Sequence, residues 1–313
     1  MKDIDSSKTI SSNDIEIDLF ELFRVLLGGK LVIIAITSFF SIVGVIYSLS
    51  LPNVYESKAI LVSSQSSKEP GIFQSYSSLA NLTGIEMISD SKTNETQAIE
   101  KLNSLSFFEN HFLPNIFLPD LMGFESWDPY TKDLTYDSEV FDIKNNSWVR
   151  NFSYPQEQKP TAQESFIIFQ NKHFFIEKDK KTNFIYIKMI HQSPYIAQEW
   201  IKILIDQINN FYRKKDRDAA EKASDYLNNI LNQTNLSEIK EVVAELLKQE
   251  TQKLTLIEAN ESYVFEYIDP PAVMETKFGP RRSFICIVFF MLGFVTSVIY
   301  VFVRHYFLTK KEP

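Results

Sequence analysis

The sequence has one cysteine, Cys286, and only four histidines in 313 residues. A single cysteine excludes a disulfide within the chain, so any folded domain must be stabilised by its own core. The phosphate-binding loop GxxxxGK[ST], the nucleophile elbow GxSxG and the zinc motif HExxH are also absent. The sequence therefore predicts no catalytic residue, no metal ion and no cofactor.

The histidines are scattered, and only His173 and His191 fall near neighbouring predicted strands. A metal site shared by these two is one alternative. Ordinary surface histidines are the interpretation we favour. Acidic residues are numerous, but no carboxylate pair stands in a motif that would separate a general acid from a base.

Charge is missing from two long stretches, Leu31–Leu51 and Phe284–Val303. Each has about 20 residues, and about 1.5 Å of rise per residue gives about 30 Å, the thickness of the hydrocarbon core of a bilayer. A buried core helix and, for the first stretch, a cleaved signal peptide are the alternatives. The first stretch starts far from residue 1 and lacks a small-x-small cleavage site. We therefore predict two transmembrane helices.

Positive charges flank the outer ends of both predicted spans, so the positive-inside rule predicts cytoplasmic termini and an exported middle segment. Arg281 and Arg282 count against this orientation, but so long a middle segment is expected to translocate regardless of its charge. The predicted layout is a cytoplasmic tail at 1–30, transmembrane helices at 31–51 and 284–303, an exported domain at 52–283 and a second tail at 304–313.

The exported segment is acidic. Residues 52–280 contain 23 Lys and Arg against 33 Asp and Glu, a net charge of −10. A nucleic-acid partner would require a basic face, so none is expected. One basic cluster interrupts the segment, formed by Arg213, Lys214, Lys215 and Arg217. It is either a contact for an anionic group or an acidic neighbouring protomer, or a solvated helix face, which we favour.

Strand-forming runs occur at both ends of the exported segment. They predict strands at 54–62, 165–169, 173–177, 184–191 and 263–268, with a hairpin turn at 178–183. Strands from the two ends that pair with each other would make one α+β base.

The most regular pattern is helical. Apolar residues recur at steps of three and four from Ser193-Pro194 to Asn232, and again after Leu236-Ser237. The first run, about forty residues, would be about 60 Å long. We predict a long antiparallel helical hairpin at about 194–257, rising from the base as a pillar that packs against copies of itself.

Shorter elements are predicted elsewhere. Residues 15–27 favour an amphipathic helix before the first span or, equally, an extension of that span. A short helix or turn is predicted within 78–88, and a helix at 93–112 with Thr93 and Thr96 as candidate N-caps. Residues 113–164, rich in proline and aromatics, are predicted to be mostly irregular and to pack over the domain.

Proline is concentrated just before the second span. Pro270, Pro271 and Pro280 lie in the segment DPPAVMETKFGPRR. Proline fixes φ and removes a backbone donor, so this segment cannot continue the preceding strand. We interpret it as a stiff element that couples the domain to the second span, with a plain linker as the alternative.

These segments, in this order, resemble the polysaccharide co-polymerases, the chain length determinant (Wzz) proteins of Gram-negative bacteria. The likeness extends over nearly the whole chain and includes the two-span layout. It rests on IDLFELFRVLLGGK, VYESKAILV, WDPYTKDLTYDSEVFD, NNSWVRNF, EKDKKTNFIYIKMIHQSPYIAQEWI, EANESYVFEYIDPP and the Pro-Arg pair before the second span.

The resemblance implies an inner-membrane protein whose α+β periplasmic domain, with a long helical hairpin, lies between two transmembrane α-helices. It implies a non-catalytic regulator that forms a homo-oligomeric ring and sets the length of O-antigen-type lipopolysaccharide or a related polysaccharide. The implied partners are a polysaccharide polymerase, the growing undecaprenyl-linked glycan and membrane lipid. The proline-rich element of the family falls on Pro270, Pro271, Pro280 and Arg281, and the small residue of its second span on Gly293.

Other functional classes remain open. A related subclass works with a cytoplasmic tyrosine kinase in capsule or exopolysaccharide synthesis, and here the kinase would be a separate protein. A two-span sensor or receptor is another alternative, although tails of about thirty and ten residues are short for an output domain. A membrane-anchored hydrolase is a third, without a recognisable nucleophile or metal set.

Overall fold

The computed structural model describes residues 19–64, 91–260 and 262–309 of the chain. The chain divides into two compact units. Met1–Pro52 and Gly279–Pro313 form the helix-pair unit, and Asn53–Phe278 form the central unit. The short helix or turn predicted within 78–88 lies outside the described residues.

The helix-pair unit contains α1 (Leu19–Gly28), α2 (Lys30–Ser50) and α8 (Arg282–Thr309). Both α2 and the first 26 residues of α8 are long and apolar enough to cross a membrane, and only 17% of each apolar window is buried. Their sides are therefore covered by exposed apolar residues, as lipid-facing helices require.

The junction between α1 and α2 is a single residue, Gly29. Its N–H donates to the carbonyl oxygen of Val25 at 3.0 Å, and its own carbonyl accepts from the N–H of Ile33 at 3.0 Å. These bonds follow the helical i to i−4 pattern. The sequence left open whether the residues before the first span form a separate amphipathic helix or an extension of that span. The structure favours the extension.

The central unit is built on a four-stranded antiparallel sheet. Its strands are β1 (Tyr55–Ser63), β6 (Phe174–Lys178), β7 (Ile185–His191) and β8 (Phe265–Asp269), in the order β6-β7-β1-β8. Strands from both ends of the unit therefore pair, as the sequence predicted. Every second residue of β1 and β7 is buried, with Ala59 opposite Ile187, so one face of the sheet is apolar.

The helical hairpin is confirmed. It consists of α6 (Pro194–Gln233) and α7 (Ser237–Ala259), joined by three residues. The first half of α6 packs across β1 and β7, and its second half packs against α7. The periodic apolar stripe of α6 supplies both contacts. Its buried apolar residues over the sheet are Ala197, Trp200, Ile201, Leu204, Ile205 and Ile208.

The predicted helix at 93–112 is interrupted. Helix α3 (Ser91–Leu102) ends before Asn103, and short helical turns follow at Leu105–Phe107, Phe108–Phe112 and Leu113–Asn115. The hydroxyl of Ser104 caps the new turn by accepting from the N–H of Phe107 at 3.3 Å. Thr93 and Thr96 lie inside α3, so the prediction that they are N-caps is wrong. Ser104 competes with the helix for backbone donors and restarts it.

The strand predicted at 165–169 is also wrong, because the structure has α5 (Ala162–Ile168) there, followed by a π-helical turn at Phe169–His173. The side chain of Thr161 accepts from the N–H of Glu164 at 3.2 Å and caps α5. The cap and the helix that it starts override the strand preference of the following Phe and Ile residues.

Residues 113–164 are more ordered than predicted. They contain α4 (Leu118–Met122) and two short hairpins. One hairpin pairs β2 (Phe124–Trp127) with β3 (Leu134–Tyr136), and the other pairs β4 (Phe141–Asp142) with β5 (Ser147–Trp148). On either side of this segment, the buried rings of Phe112 and Phe169 contact Trp200 of α6, with ring centroids 6.1 and 6.3 Å away.

Candidate functional site

The described ranges contain no group of three or more His, Cys, Asp or Glu side chains that is arranged to hold a metal ion. The candidate functional elements are therefore the proline-rich segment, the packing of the two apolar helices, the histidine pair and the basic cluster.

His173 and His191 are brought together, with ring centroids 5.6 Å apart, but in the core. They are 5% and 1% exposed, so the prediction of ordinary surface histidines is wrong. The Nδ1 atom of His191 accepts from the N–H of Ser193 at 2.9 Å, so the ring proton is on Nε2, which donates to the carbonyl oxygen of Asp120 at 3.0 Å. Both nitrogens of His191 are thus occupied, and neither can ligate a metal.

Burial keeps both rings neutral. It lowers the pKa of His173 to about 4 and the pKa of His191 to about 3, and for His191 the neighbouring His173 adds to the effect. The pair therefore joins α4, β7 and the start of α6 as an uncharged part of the core.

The proline-rich segment is fastened to the central unit at three points. The side-chain amide of Gln198 on α6 donates to the carbonyl oxygen of Pro271 at 2.8 Å. The hydroxyl of Ser57 on β1 donates to the carbonyl oxygen of Ala272 at 2.9 Å. Farther on, the N–H of Phe278 donates to the carbonyl oxygen of Val54 at 2.8 Å. Pro271 is buried and Pro270 is exposed. Residues 270–278 are thus held along β1 and α6.

Gln198 and Ser57 could not be identified from the sequence. Each is a single polar residue in a helix or strand, and its partner is a backbone carbonyl more than seventy residues away. No local pattern marks such a residue.

In the helix-pair unit, Pro280 and Arg281 form the turn that begins α8. The carbonyl oxygen of Pro280 accepts from the N–H of Arg282 at 3.0 Å, and that of Arg281 accepts from the N–H of Phe284 at 3.0 Å. The guanidinium of Arg282 donates to the carbonyl oxygen of Leu51 at 3.4 Å. Arg282 therefore links the C-terminal end of α2 to the N-terminal end of α8.

Gly293 lies at a close approach of α2 and α8. A Cβ atom at this position would be 2.6 Å from the Cβ of Phe40. Two further glycines repeat the arrangement from the other helix: a Cβ at Gly44 would be 2.6 Å from the Cβ of Phe289, and one at Gly29 would be 2.6 Å from a methyl carbon of Val301. Such small residues allow apolar helices to pack closely.

The sequence analysis also did not identify Gly29 and Gly44 as contact residues between the two helices. Their signal in the sequence is a glycine within, or directly before, an uncharged span. Only the tertiary structure shows which large side chain each of them faces.

The arginines and the lysines of the basic cluster have different surroundings in the structure. Arg213 donates to the carbonyl oxygen of Asn260 at 2.7 Å, and Arg217 forms an ion pair with Glu258 of α7 at 3.3 Å. These two arginines hold α6 to the C-terminal end of α7, the other helix of the hairpin. Lys214 and Lys215 are exposed.

Comparison with known proteins gives one family match. The family model of the chain length determinant proteins (Wzz) matches residues 15–112, which include α1, α2, β1 and α3. None of the curated proteins matches the chain significantly.

Two solved structures of polysaccharide co-polymerases are similar to the chain. A full-length bacterial polysaccharide co-polymerase is 14% identical, with 95% of this chain and 100% of that chain covered and a TM-score of 0.43. A fragment of WzzB, a polysaccharide co-polymerase from Salmonella Typhimurium, is 16% identical, with 72% and 100% covered and a TM-score of 0.31.

The family match covers the N-terminal part of the resemblance that the sequence indicated, namely the first apolar span, the strand after it and the following helix. The two apolar helices of the structure are long and apolar enough to cross a membrane. Residues 15–112 are thus the part of the chain that is similar to the chain length determinant (Wzz) family.

Proposed function

We propose that this chain is a non-catalytic regulator of polysaccharide chain length that acts in the bacterial inner membrane. The observation that carries the proposal is the Wzz match over residues 15–112 in a chain with a candidate membrane span near each end. The polysaccharide is of the O-antigen type, and the partners are a polysaccharide polymerase and the undecaprenyl-linked glycan that it extends.

The proposed topology has both termini in the cytoplasm and the central unit in the periplasm. It is supported by the Lys and Arg residues that precede α2 and follow the apolar part of α8. In this arrangement, Pro270, Pro271, Pro280 and Arg281 would couple the periplasmic unit to the second span. Gly293 would keep the two spans in contact.

We propose that the chain associates with copies of itself through the helical hairpin. Ile239, Val242 and Leu246 lie on one face of α7 at helical spacing and are 41%, 61% and 37% exposed. Charged residues of both signs lie between them, at Lys240, Glu241 and Glu245. An apolar stripe bordered by charges of both signs suits a contact between identical helices, because basic and acidic side chains of two copies can face each other.

The test is deletion of the gene, followed by gel display of the surface polysaccharide. We expect loss of the modal chain length and its return when the wild-type gene is restored. An unchanged length distribution would contradict the proposal. A kinase-adaptor role predicts instead that the effect depends on a separate tyrosine kinase, and a sensor predicts altered gene expression with an unaltered modal length.

A further inference from the structure

The two chain ends of the central unit meet at one point. The N–H of Phe278 donates to the carbonyl oxygen of Val54 at 2.8 Å. Val54 is the fourth residue after Ser50, where α2 ends, and Phe278 is the fourth residue before Arg282, where α8 begins. At no more than about 3.6 Å per residue, the chain alone keeps this point within about 15 Å of each candidate span. This end of the central unit is therefore held near the bilayer that the spans would cross.

The hairpin of β2 and β3 lies across the same end of the sheet. Tyr55, the first residue of β1, pairs with His191, the last residue of β7. The ring of Phe124 packs against His191 with centroids 4.6 Å apart, and the ring of Trp127 packs against Tyr55 at 5.3 Å. The strand β2 thus passes from the end of β7 to the start of β1, and the hairpin turn at 128–133 follows directly after it.

This hairpin turn is closed by hydrogen bonds and presents a tyrosine at its tip. The N–H of Asp128 donates to the carbonyl oxygen of Asp133 at 3.0 Å, and the N–H of Lys132 donates to the carbonyl oxygen of Asp128 at 2.8 Å. The carboxylate of Asp128 accepts from the N–H of Tyr130 at 2.8 Å. Tyr130 itself is 95% exposed. A ring so exposed adds nothing to the core and is available to a partner.

The first turns of α6 border both the hairpin turn and the proline-rich segment. The Nζ of Lys132 is 5.3 Å from the ring centroid of Tyr195, the second residue of α6. Gln198, one turn farther along α6, donates to the carbonyl oxygen of Pro271. Large exposed side chains from these three segments are thus gathered at one end of the central unit. We call them the span-side surface: Tyr130, Tyr195, Met274 and Phe278.

Charges of both signs surround the span-side surface. Lys132 and Lys277 are exposed, and so are Asp133 and Glu275. Neither sign dominates, so the surface offers no general attraction to an anion. It offers aromatic rings, and a tyrosine combines an apolar ring with a hydroxyl that can stay hydrated. Such side chains are enriched where membrane proteins cross from lipid to water.

We propose that the span-side surface enters the headgroup region of the phospholipid bilayer, with its aromatic rings among the lipid ester groups. The partner is lipid because both chain ends hold this end of the unit near the spans, and because exposed apolar groups mark a contact surface. Tyr130 is far from both spans along the chain. Its insertion would therefore fix the tilt of the central unit, which two chain connections at a single point cannot do.

The proposal rests on the membrane location in the proposed function, but not on control of a polysaccharide. Spin labelling of the full chain in phospholipid nanodiscs tests it. Cys286 is the only cysteine, so Cys286→Ser provides a background in which Tyr130→Cys adds one attachment site for a nitroxide. Tyr195→Cys is a second test position. Tyr226→Cys is the matched control, because Tyr226 is an exposed tyrosine of the same helix.

Tyr226 is about 46 Å farther along α6 than Tyr195, at about 1.5 Å per residue. The measurement compares collisions of each nitroxide with oxygen, which partitions into lipid, and with a water-soluble nickel chelate. We expect the ratio of oxygen to nickel collisions to be at least about threefold higher at Tyr130 and Tyr195 than at Tyr226, because interfacial side chains lie about 5–10 Å into the headgroup–acyl boundary. Circular dichroism and thermal unfolding verify that each labelled chain is folded.

The lipid composition separates the rings from the lysines as the cause of the contact. Since neither sign of charge dominates, the ratios should be equal in nanodiscs of phosphatidylcholine alone and in nanodiscs with added phosphatidylglycerol. High ratios only with phosphatidylglycerol would overturn the proposal, because the lysines would then bind the membrane. Equal ratios at all three positions would also overturn it. So would a label at Tyr130 that is shielded from both reagents, which would assign the surface to a protein partner.

The lipid contact and the proposed function fail in different ways. If gene deletion abolishes the modal length but the three positions give equal ratios, only the lipid contact is wrong. If the ratios are high at Tyr130 and Tyr195 but gene deletion leaves the length distribution unchanged, the lipid contact stands and the assigned regulation is wrong.

Discussion

The side chain of Asn209 forms two hydrogen bonds with the backbone of Phe265. Its amide donates to the carbonyl oxygen of Phe265 at 3.0 Å, and its Oδ1 accepts from the N–H of Phe265 at 2.9 Å. The same oxygen accepts from the N–H of Val264 at 2.9 Å. Asn209 is 7% exposed within the apolar stripe of α6. One buried amide thus joins the long helix to the start of β8.

Replacement of Asn209 by Ala should lower the free energy of unfolding of the central unit by about 2–4 kcal/mol, because buried backbone groups of β8 lose their partner. Urea unfolding of the detergent-solubilised chain, followed by tryptophan fluorescence, measures the change. Asn210→Ala is the matched control, because Asn210 is the next residue of α6 and is exposed. Equal effects of the two substitutions would contradict the assigned role of Asn209.

We predict that the central unit loses stability in acid because His173 and His191 are buried as neutral rings. The folded pKa values of His173 and His191 are about 4 and about 3, below the ordinary value of 6.5. The unfolded chain therefore binds more protons than the folded chain between about pH 6.5 and the folded values, and stability falls as the pH is lowered through this window. Each fully titrating group contributes a slope of about 1.4 kcal/mol per pH unit.

Unfolding free energies between pH 7 and pH 4.5 test this prediction. His191→Gln should reduce the stability at pH 7 and also flatten the dependence on pH. His305→Gln, in the helix-pair unit, is the control. A slope that does not change in His191→Gln would show that other groups cause the acid sensitivity.

The glycines of the helix-pair unit differ in what surrounds them. A Cβ atom added at Gly28 would have no atom of the described residues within 4 Å, whereas one added at its neighbour Gly29 would lie against Val301. We expect Gly29→Ala, Gly44→Ala and Gly293→Ala to lower the resistance of the helix pair to unfolding by SDS, by about 1–3 kcal/mol each. Gly28→Ala should have no such effect. If all four substitutions behave alike, close packing at the three glycines is not what stabilises the pair.

For the proline-rich element, we predict that substitutions change the length of the polysaccharide product rather than the stability of the protein. Replacement of Pro271 and Pro280 by Ala should broaden or shift the polysaccharide length distribution without loss of the protein from the membrane, because the segment loses stiffness. Gel display of the polysaccharide and immunoblotting of membranes measure the two quantities. Pro129→Ala, in the exposed β2–β3 turn, is the control. An unaltered ladder would identify the segment as a plain linker.

Sequence periodicity predicted the long elements well and the short ones less well. The apolar stripe from Pro194 onward is repeated over many turns, so its signal for α6 is unambiguous. The strand predicted at 165–169 was wrong because a run of five residues cannot distinguish the two periods, and the cap at Thr161 decided for a helix. The interruption before Ser104 has the same origin, since one capping hydroxyl outweighs a weak helical pattern.

The amino-acid sequence by itself determined the two uncharged spans, the helical hairpin and the strands of the sheet, because each depends on neighbours a few residues apart. The tertiary structure alone decided the strand order and the buried histidine pair. It also decided the partners of Asn209, Gln198 and Gly293. The partners of these three residues are more than fifty positions away in the chain. A local pattern carries no record of such contacts, because only chain folding brings the two partners together.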